Sequence, residues 1–316
     1  MSSENKIKII FMGTPDFALP GLHTLIKDTS FEIVGVFTQP DKAIGRKQII
    51  SPSPVKKLAE ENNLKIFQPE KIKSAITEIK NLNPDLIIVT AYGQIIPQEI
   101  LDIPKYGCLN IHASLLPKYR GAACLNAPIL NGDKETGITI MKMEAGLDIG
   151  PILRQANLKL KGDENLEFVH DHLSALGAKI LIETILDWKN GKIAPQKQNE
   201  SEASYIRTLK KEDGKINWQK SAKEIERMVR AYNPWPGTFS NFQKENKIIK
   251  ILEVSNQILE INKCKPGEIF IENNKLVIQC GQDSLHILRL QMSGKNPLPA
   301  KEFLMGNSDL IGQILE

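Results

Sequence analysis

Short apolar runs alternate with helix-like stretches through the first half of the chain. The runs Ile7 to Met12, Glu32 to Phe37 and Asp85 to Ala91 are separated by segments with helical spacing, among them Phe17 to Ile26 and Val55 to Glu61. Apolar runs of this length are typical of buried strands, and their alternation with helices predicts a parallel sheet covered on both faces. In such sheets ligands bind at the carboxyl ends of the strands.

The pattern changes in the second half. Helical spacing from Glu164 to Trp188 predicts a long helix that completes a first domain over residues 1–189. The polar stretch 190–205 predicts a linker. Beyond it, a helix-like segment from Ser221 to Tyr232 precedes short strand-like runs separated by turn residues, which predicts a small β-barrel domain over residues 206–316.

Composition fits a folded two-domain protein. The 316 residues are 41% hydrophobic and 25% charged, far from the profile of a disordered chain. A net charge of +4 permits a polyanionic partner without requiring one. The scattered cysteines form no C-x-x-C pair, so we expect neither a metal site nor disulfides. The absence of an apolar stretch of bilayer length leads us to expect a cytoplasmic protein that does not enter the membrane.

Two polar elements are candidates for chemistry. Asn110 and His112 are two residues apart in a predicted strand, so their side chains share one face. An amide can bind a carbonyl oxygen, and an imidazole titrates near neutral pH, which suits acyl transfer. Asp148 lies between Gly146 and Gly150 in a predicted loop and could orient the histidine. Taken singly, a structural Asn-x-His pair and a plain turn are the more common explanations of these residues.

The turn after the first strand argues against a dinucleotide-binding site. Gly13 after this strand stands alone, without the further glycines that let backbone amides cradle a phosphate. We therefore do not expect a dinucleotide at this turn.

Together the motifs resemble the folate-dependent formyltransferase family. The resemblance rests on Asn-x-His-x-Ser-Leu-Leu-Pro-x-x-Arg-Gly-Ala from Asn110, Glu-Thr-Gly-Ile-Thr-Ile-Met from Glu135 and Gly-Leu-Asp-x-Gly from Gly146. Met-Gly-Thr-Pro-Asp-Phe from Met12 and Tyr-Asn-Pro-Trp-Pro from Tyr232 extend it over nearly the whole chain. It implies an α/β fold with a Rossmann-like parallel-sheet formyltransferase domain, followed by a smaller OB-like β-barrel domain that binds tRNA.

The resemblance also implies roles for individual residues. The catalytic residues would be Asn110, His112 and Asp148, and the folate-binding residues would be Ser114, Leu115, Leu116, Pro117, Tyr92 and Gly93. The family uses no metal and no tightly bound cofactor, because its donor, 10-formyltetrahydrofolate, is a co-substrate. The expected mechanism is attack of an amine on the formyl carbon, with Asn110 and a charged His112 stabilising the oxygen and Asp148 assisting proton transfer.

The acceptor is less sharply defined by these motifs. The layout is similar to the branch of the family that acts on aminoacylated tRNA, which implies the amino group of initiator methionyl-tRNA as acceptor. Lys42, Arg46 and Lys47, in a basic loop, are expected tRNA contacts, although a solvated loop explains them as well. Gln48 follows this loop where the branch has a longer lysine run, and Cys124 replaces its usual proline.

Four alternatives stay open at this point. Relatives with the same catalytic residues formylate an amino sugar nucleotide or a purine-precursor ribotide, or hydrolyse the folate. A protein that binds tRNA without catalysis is a different class. No apolar stripe suited to self-association stands out, so we expect a monomer without an obligate protein partner. We also expect the protein to come from a bacterium.

Overall fold

The computed structural model describes residues 6–44, 49–242 and 245–316. Its strands, in chain order, are β1 (Ile7–Gly13), β2 (Phe31–Phe37), β3 (Lys42–Ile44), β4 (Ile49–Ser51), β5 (Ile66–Phe67), β6 (Leu86–Thr90), β7 (Cys108–His112), β8 (Arg120–Gly121), β9 (Glu135–Lys142), β10 (Ile152–Lys159), β11 (Tyr205–Ile206), β12 (Thr238–Phe242), β13 (Glu245–Val254), β14 (Ile269–Glu272), β15 (Lys275–Gln279), β16 (Ser284–Met292) and β17 (Leu298–Pro299). The α-helices are α1 (Leu19–Lys27), α2 (Pro54–Glu61), α3 (Ile76–Leu82), α4 (Gln98–Leu101), α5 (Ala127–Asn131), α6 (Leu166–Lys189), α7 (Ala222–Tyr232) and α8 (Ala300–Met305).

A seven-stranded sheet organises the first half of the chain, in the order β10-β9-β7-β6-β1-β2-β5. The strands from β7 to β5 are parallel, as the alternation of strands and helices predicts. The sheet is mixed rather than purely parallel, because β9 runs antiparallel to β7 and β10 antiparallel to β9. Burial alternates along β10, which is typical of an antiparallel edge strand with one face exposed.

The buried strands of this sheet carry the core of the first unit. Every residue of β6 is buried, and β1 is buried at six of its seven positions. Phe37 on β2 stacks on Phe67 of β5 with ring centroids 4.6 Å apart. Burial on both faces explains why these strands appear in the sequence as continuous apolar runs.

Helix boundaries follow local capping signals. The Ser53 side chain accepts a hydrogen bond from the backbone N–H of Lys56, and Pro54 occupies the first position of α2. The side chain of Ser221 accepts from the N–H of Glu224, whose carboxylate in turn accepts from the Ser221 N–H. Both arrangements satisfy amides that the first helical turn leaves unpaired.

The second unit contains the predicted barrel. Its antiparallel strands follow the order β12-β13-β16-β15-β14, and β17 pairs with β16. Residues near the end of the chain close the ring, because Leu315 bridges to Phe242 of β12 and Ile314 bridges to Glu268 beside β14. Trp218 and Leu285 lie in its apolar interior, which confirms the expected OB-like β-barrel.

Backbone contacts divide the chain into two compact units that do not follow a single cut. One unit comprises Met1–Cys124, Glu135–Lys159 and His170–Ile206, and the other comprises Leu125–Lys134, Leu160–Val169 and Arg207–Glu316. The stretch 190–205, predicted as a linker, therefore falls within the first unit. There Gln196 pairs with Ile152 through backbone hydrogen bonds in both directions.

Tyr92 offers a test of this core. Its ring is 1% exposed among apolar side chains, and its hydroxyl has no hydrogen-bond partner within the described residues. Burial raises the pKa of Tyr92 from 10.0 to about 12. A buried hydroxyl without a partner is a desolvation cost, so we expect Tyr92→Phe to unfold with a free energy equal to or up to about 1 kcal/mol above that of the unchanged protein.

The same substitution should alter stability at high pH. Unfolded tyrosine ionises near pH 10, whereas folded Tyr92 holds its proton until about pH 12. This ionisation therefore leaves the free energy of unfolding unchanged below pH 10 and lowers it as the pH rises from 10 towards 12, because only the unfolded protein loses the proton there. Urea unfolding between pH 8 and 11 should show a shallower decline for Tyr92→Phe, and equal declines in both proteins would contradict the assignment.

Candidate active site

Asn110 and His112 lie at the carboxyl end of β7, in the middle of the seven-stranded sheet. β7 pairs in parallel with β6, where Asn110 is opposite Val89, and antiparallel with β9, where His112 is opposite Thr139. Asn110 is half-buried, and the His112 side chain is only 6% exposed. Since residues two apart on a strand share a face, the sheet presents the amide and the imidazole together.

The loop between β9 and β10 brings Asp148 to these two side chains. One carboxylate oxygen of Asp148, Oδ1, lies 3.4 Å from Asn110 Nδ2, and the other, Oδ2, lies 3.6 Å from His112 Nδ1. Oδ2 also accepts a hydrogen bond of 2.8 Å from the backbone N–H of Gly121. Asp148 has a φ of +54°, in the left-handed region where aspartate is tolerated better than most residues. The structure therefore brings together all three residues predicted to be catalytic.

A backbone carbonyl fixes the orientation of the imidazole. His112 Nε2 lies 3.0 Å from the carbonyl oxygen of Tyr119. Because a carbonyl oxygen only accepts hydrogen bonds, Nε2 carries the hydrogen in this arrangement. Nδ1 is the ring nitrogen that faces Asp148, with 3.6 Å between it and Oδ2.

The segment predicted to contact folate is held rigidly by hydrogen bonds. Ser114 is buried, its hydroxyl donates to the Lys118 carbonyl at 2.6 Å, and its own carbonyl accepts from Thr139 Oγ1 at 2.7 Å. The Leu116 N–H donates to the same Thr139 oxygen at 3.1 Å. The Leu116 side chain is buried, and the other two residues of the segment are half-buried. Its backbone is thus fixed beside the end of β7.

Tyr92 and Gly93 follow the end of β6. The Tyr92 carbonyl accepts from Thr14 Oγ1 at 2.9 Å and from Gln39 Nε2 at 3.2 Å, which joins the loops after β1, β2 and β6. The Tyr92 ring points into the core, so a ligand in this region would meet the backbone of this residue. Gly93 has a φ of +83°.

The basic loop is only partly described. Lys42 is exposed on β3, and its neighbour Asp41 pairs with Lys56 at 2.6 Å. The side chain of Lys56 holds the pKa of Asp41 below its usual value. Arg46 and Lys47 lie outside the described residues.

Sequence reasoning missed a buried cluster behind the site. In the sequence Arg120 is recognisable only as part of the motif that starts at Asn110, and Gln198 lies in the stretch 190–205 that is predicted to be a linker. The Arg120 side chain has 0% exposure and donates to the Gln198 and Glu200 side chains, while Gln198 donates to backbone carbonyls beside Asp148. No local pattern identifies Gln198, because its surroundings in the sequence are uniformly polar. The only sequence feature that points to this cluster is Arg120 itself, three residues after the Ser-Leu-Leu-Pro motif.

The described part of the chain shows neither a metal-binding cluster nor a membrane-spanning helix. Within residues 6–44, 49–242 and 245–316, no group of three or more His, Cys, Asp or Glu side chains is arranged to hold a metal ion. The helices of this described part include none long and apolar enough to cross a membrane.

Comparison with known protein families assigns the chain. Residues 5–185 match the family model described as "Formyl transferase", and residues 208–308 match "Formyl transferase, C-terminal domain". The chain therefore belongs to the formyl transferase family.

Relatives that match over nearly their whole length indicate which kind of formyl transferase this chain resembles. A methionyl-tRNA formyltransferase from Caldanaerobacter subterraneus subsp. tengcongensis is 42% identical over 98% of this chain and 100% of its own length. A methionyl-tRNA formyltransferase from Citrifermentans bemidjiense is 45% identical over 95% of this chain and 93% of its own length.

Solved structures share the fold at lower identity. The N-formyltransferase from Helicobacter canadensis, solved with folinic acid and dTDP-3-aminofucose, has a TM-score of 0.66 at 21% identity, covering 89% of this chain and 99% of that one. HypX from Aquifex aeolicus, solved with tetrahydrofolic acid, has a TM-score of 0.62 at 17% identity and covers 95% of this chain. This chain spans 47% of the HypX chain, about half its length.

Proposed function

We propose that this enzyme transfers the formyl group of 10-formyltetrahydrofolate to the free amino group of initiator methionyl-tRNA, giving N-formylmethionyl-tRNA. The observation that carries the reaction is the convergence of Asn110, His112 and Asp148 at the carboxyl end of β7. The choice of acceptor rests on identity of 42% or more to methionyl-tRNA formyltransferases over nearly their whole length.

The first chemical step is attack of the neutral acceptor amine on the formyl carbon. This attack forms a tetrahedral intermediate whose oxygen carries negative charge. Asn110 Nδ2 and the protonated Nδ1 of His112 stabilise this oxygen, since Nε2 is held by the Tyr119 carbonyl. The 3.4 Å separation between Asn110 Nδ2 and Asp148 marks a weak bond that the amide exchanges readily for the formyl oxygen.

Proton transfer completes the reaction. The attacking nitrogen gains a bond to carbon and loses a proton, which Asp148 accepts directly or through water. Collapse of the intermediate breaks the bond between the formyl carbon and N10 of the folate, and N10 takes up one proton. The net change moves the formyl group to the amine and one proton to N10, without oxidation or reduction. Asp148 also places a carboxylate oxygen 3.6 Å from His112 Nδ1, the nitrogen that donates to the oxygen of the intermediate in this mechanism.

Folate and tRNA contacts extend the proposal. The fixed backbone of Ser114 to Pro117, together with the loop containing Tyr92 and Gly93, forms the side of the folate site next to β7. Lys42, Arg46 and Lys47 supply positive charge to the tRNA phosphates, where cationic side chains provide much of the affinity. The proposal also places a monomeric enzyme in the bacterial cytoplasm, where methionyl-tRNA is made and used.

A direct assay tests donor and acceptor together. Formyl transfer from 10-formyltetrahydrofolate should occur to initiator methionyl-tRNA, and uncharged initiator tRNA should accept nothing because it lacks the amino group. A dTDP-linked amino sugar and a reaction without acceptor complete the design. Transfer to the sugar alone would identify a sugar N-formyltransferase, and donor breakdown without acceptor would identify a hydrolase. Binding of tRNA without consumption of the donor would also contradict the proposal.

A further inference from the structure

Arg120 is the largest fully buried side chain of the described residues, and its guanidinium is completely paired. Gln198 Oε1 accepts from Nε at 3.0 Å and from Nη2 at 2.8 Å. The Glu200 carboxylate accepts from both terminal nitrogens, at 2.8 and 2.9 Å, and the Tyr205 hydroxyl accepts from Nη1 at 2.6 Å. The hydrogen bonds that Arg120 donates to Glu200 are the main cause that raises the pKa of Arg120 above its usual value. A buried charge needs this degree of pairing.

Gln198 connects this arginine to the loop that carries Asp148. Its Nε2 donates to the Asp148 carbonyl at 2.8 Å and to the Gly150 carbonyl at 2.7 Å. With Oε1 accepting twice from Arg120, the amide uses both of its hydrogens and both of its lone pairs. The position of the loop is therefore tied to the position of the guanidinium.

A second connection runs through the backbone. The Arg120 N–H donates to the Ser204 carbonyl at 2.8 Å, and the Tyr119 N–H donates to Ser204 Oγ at 2.9 Å. Parallel pairing of β8 with β11 continues as the Ala122 N–H donates to the Ile206 carbonyl at 3.1 Å. The chain approaches so closely here that a Cβ on residue 121 would lie 2.4 Å from the Ile206 carbonyl oxygen, which glycine avoids.

The segment fixed in this way supplies two backbone groups to the site. The Tyr119 carbonyl holds His112 Nε2, and the Gly121 N–H holds Asp148 Oδ2. A movement of residues 119–121 would therefore shift the imidazole and the carboxylate together.

We infer that residues 198–206 form a positioning brace that acts through Arg120 and the Asp148 loop to set the separation between His112 and Asp148. This inference rests on the proposed function of the same site. The brace touches neither substrate, and its effect is on the geometry of the residues that do. Errors of about 1 Å in such geometry reduce rates by roughly 100-fold.

The test removes the link between the brace and the loop. Gln198→Met keeps the approximate size of the side chain but takes away both donors to the loop and the acceptor for Arg120. We expect kcat to fall about 10- to 100-fold while the KM for 10-formyltetrahydrofolate changes less than threefold. Glu200→Gln is a milder second variant, because Glu200 is 64% exposed and its loss leaves Gln198 in place. It should lower kcat about 2- to 10-fold.

The matched control is Arg154→Gln. Arg154 belongs to the same unit and pairs with Glu183 and with Asp187, at 2.6 and 2.7 Å. Among the described residues its side chain makes no hydrogen bond or ion pair with Asn110, His112 or Asp148. It should leave kcat within twofold. Thermal unfolding of each variant separates a loss of geometry from a loss of folded protein.

A double-mutant cycle separates positioning from general structural damage. If Gln198 acts through Asp148, adding Gln198→Met to Asp148→Asn should reduce the single-turnover rate less than threefold further. A full additional 10- to 100-fold loss in the double variant would overturn the inference, as would an unchanged kcat for Gln198→Met alone.

A readout without catalysis distinguishes failure of the brace from failure of the proposed function. The ring ¹⁵N resonances of His112, assigned with a His112→Gln variant, report which nitrogen carries the proton. We expect them to move in Gln198→Met and to stay in place in Arg154→Gln. If the unchanged protein transfers no formyl group to methionyl-tRNA, the proposed function fails, yet shifted resonances still support the brace and unmoved resonances overturn it.

Discussion

Replacing His112 by alanine should lower kcat for formyl transfer by roughly 10³-fold, since positioned acid–base groups contribute about 10²- to 10⁴-fold. The imidazole is nearly buried and is held between the Tyr119 carbonyl and Asp148, at 3.0 and 3.6 Å. Alanine removes the cation that stabilises the oxygen of the tetrahedral intermediate. In the proposed mechanism this stabilisation acts on the intermediate rather than on the bound substrates, so both KM values should change little.

Single-turnover rates with excess enzyme measure this loss without interference from product release. His23→Ala is the matched control, because His23 is exposed on α1 and belongs to a different part of the same unit. A His112→Ala variant with normal unfolding temperature and a rate within tenfold of the unchanged enzyme would remove His112 from the mechanism.

Asp148→Asn should lower kcat by roughly 10²- to 10³-fold, a size comparable to the loss of one preorganised charge-stabilising group. The asparagine oxygen can still accept from the Gly121 N–H, so the loop keeps its support at that point. The negative charge that lies beside His112 and accepts the amine proton in the proposed mechanism is lost. The substitution therefore separates the charge of the residue from its shape.

Asp171→Asn provides the comparison for this variant. Asp171 is exposed and pairs with His170 at 2.8 Å, so its substitution also removes a carboxylate beside a histidine. Its rate should stay within twofold. Equal rates for Asp148→Asn and Asp171→Asn, measured with saturating tRNA and folate, would show that Asp148 carries no chemical role.

The sequence is most informative where burial is continuous. β1 and β6 could be predicted because strands buried on both faces consist almost entirely of apolar residues. The two-residue spacing of Asn110 and His112 gave their shared face directly, since side chains alternate along a strand. The residues alone made Asp148 a candidate to orient the histidine, and only the resemblance to a family gave it a catalytic role, because its approach depends on a loop 38 residues further along the chain.

Residues whose role depends on distant polar partners could not be predicted. Gln198 lies in a polar stretch that has the composition of a linker, and its burial follows from pairing with Arg120, 78 residues away. Closure of the barrel by Ile314 and Leu315 was equally hidden, because isolated bridges leave no strand pattern. The antiparallel direction of β9 could not be predicted, because an apolar run is compatible with either strand direction.

The pairing of β8 with β11 has a consequence for synthesis on the ribosome. Asn110, His112 and Asp148 are all made before Ser204 and Ile206, the residues whose backbone groups bond to the segment from Tyr119 to Ala122. At synthesis rates of about 5 to 20 residues per second, residues 149–206 take roughly 3 to 12 seconds to add. A nascent chain therefore carries Asn110, His112 and Asp148 for several seconds before β11 has been made. A premature stop in that interval yields a protein that has these three residues but lacks the strand that pairs with β8.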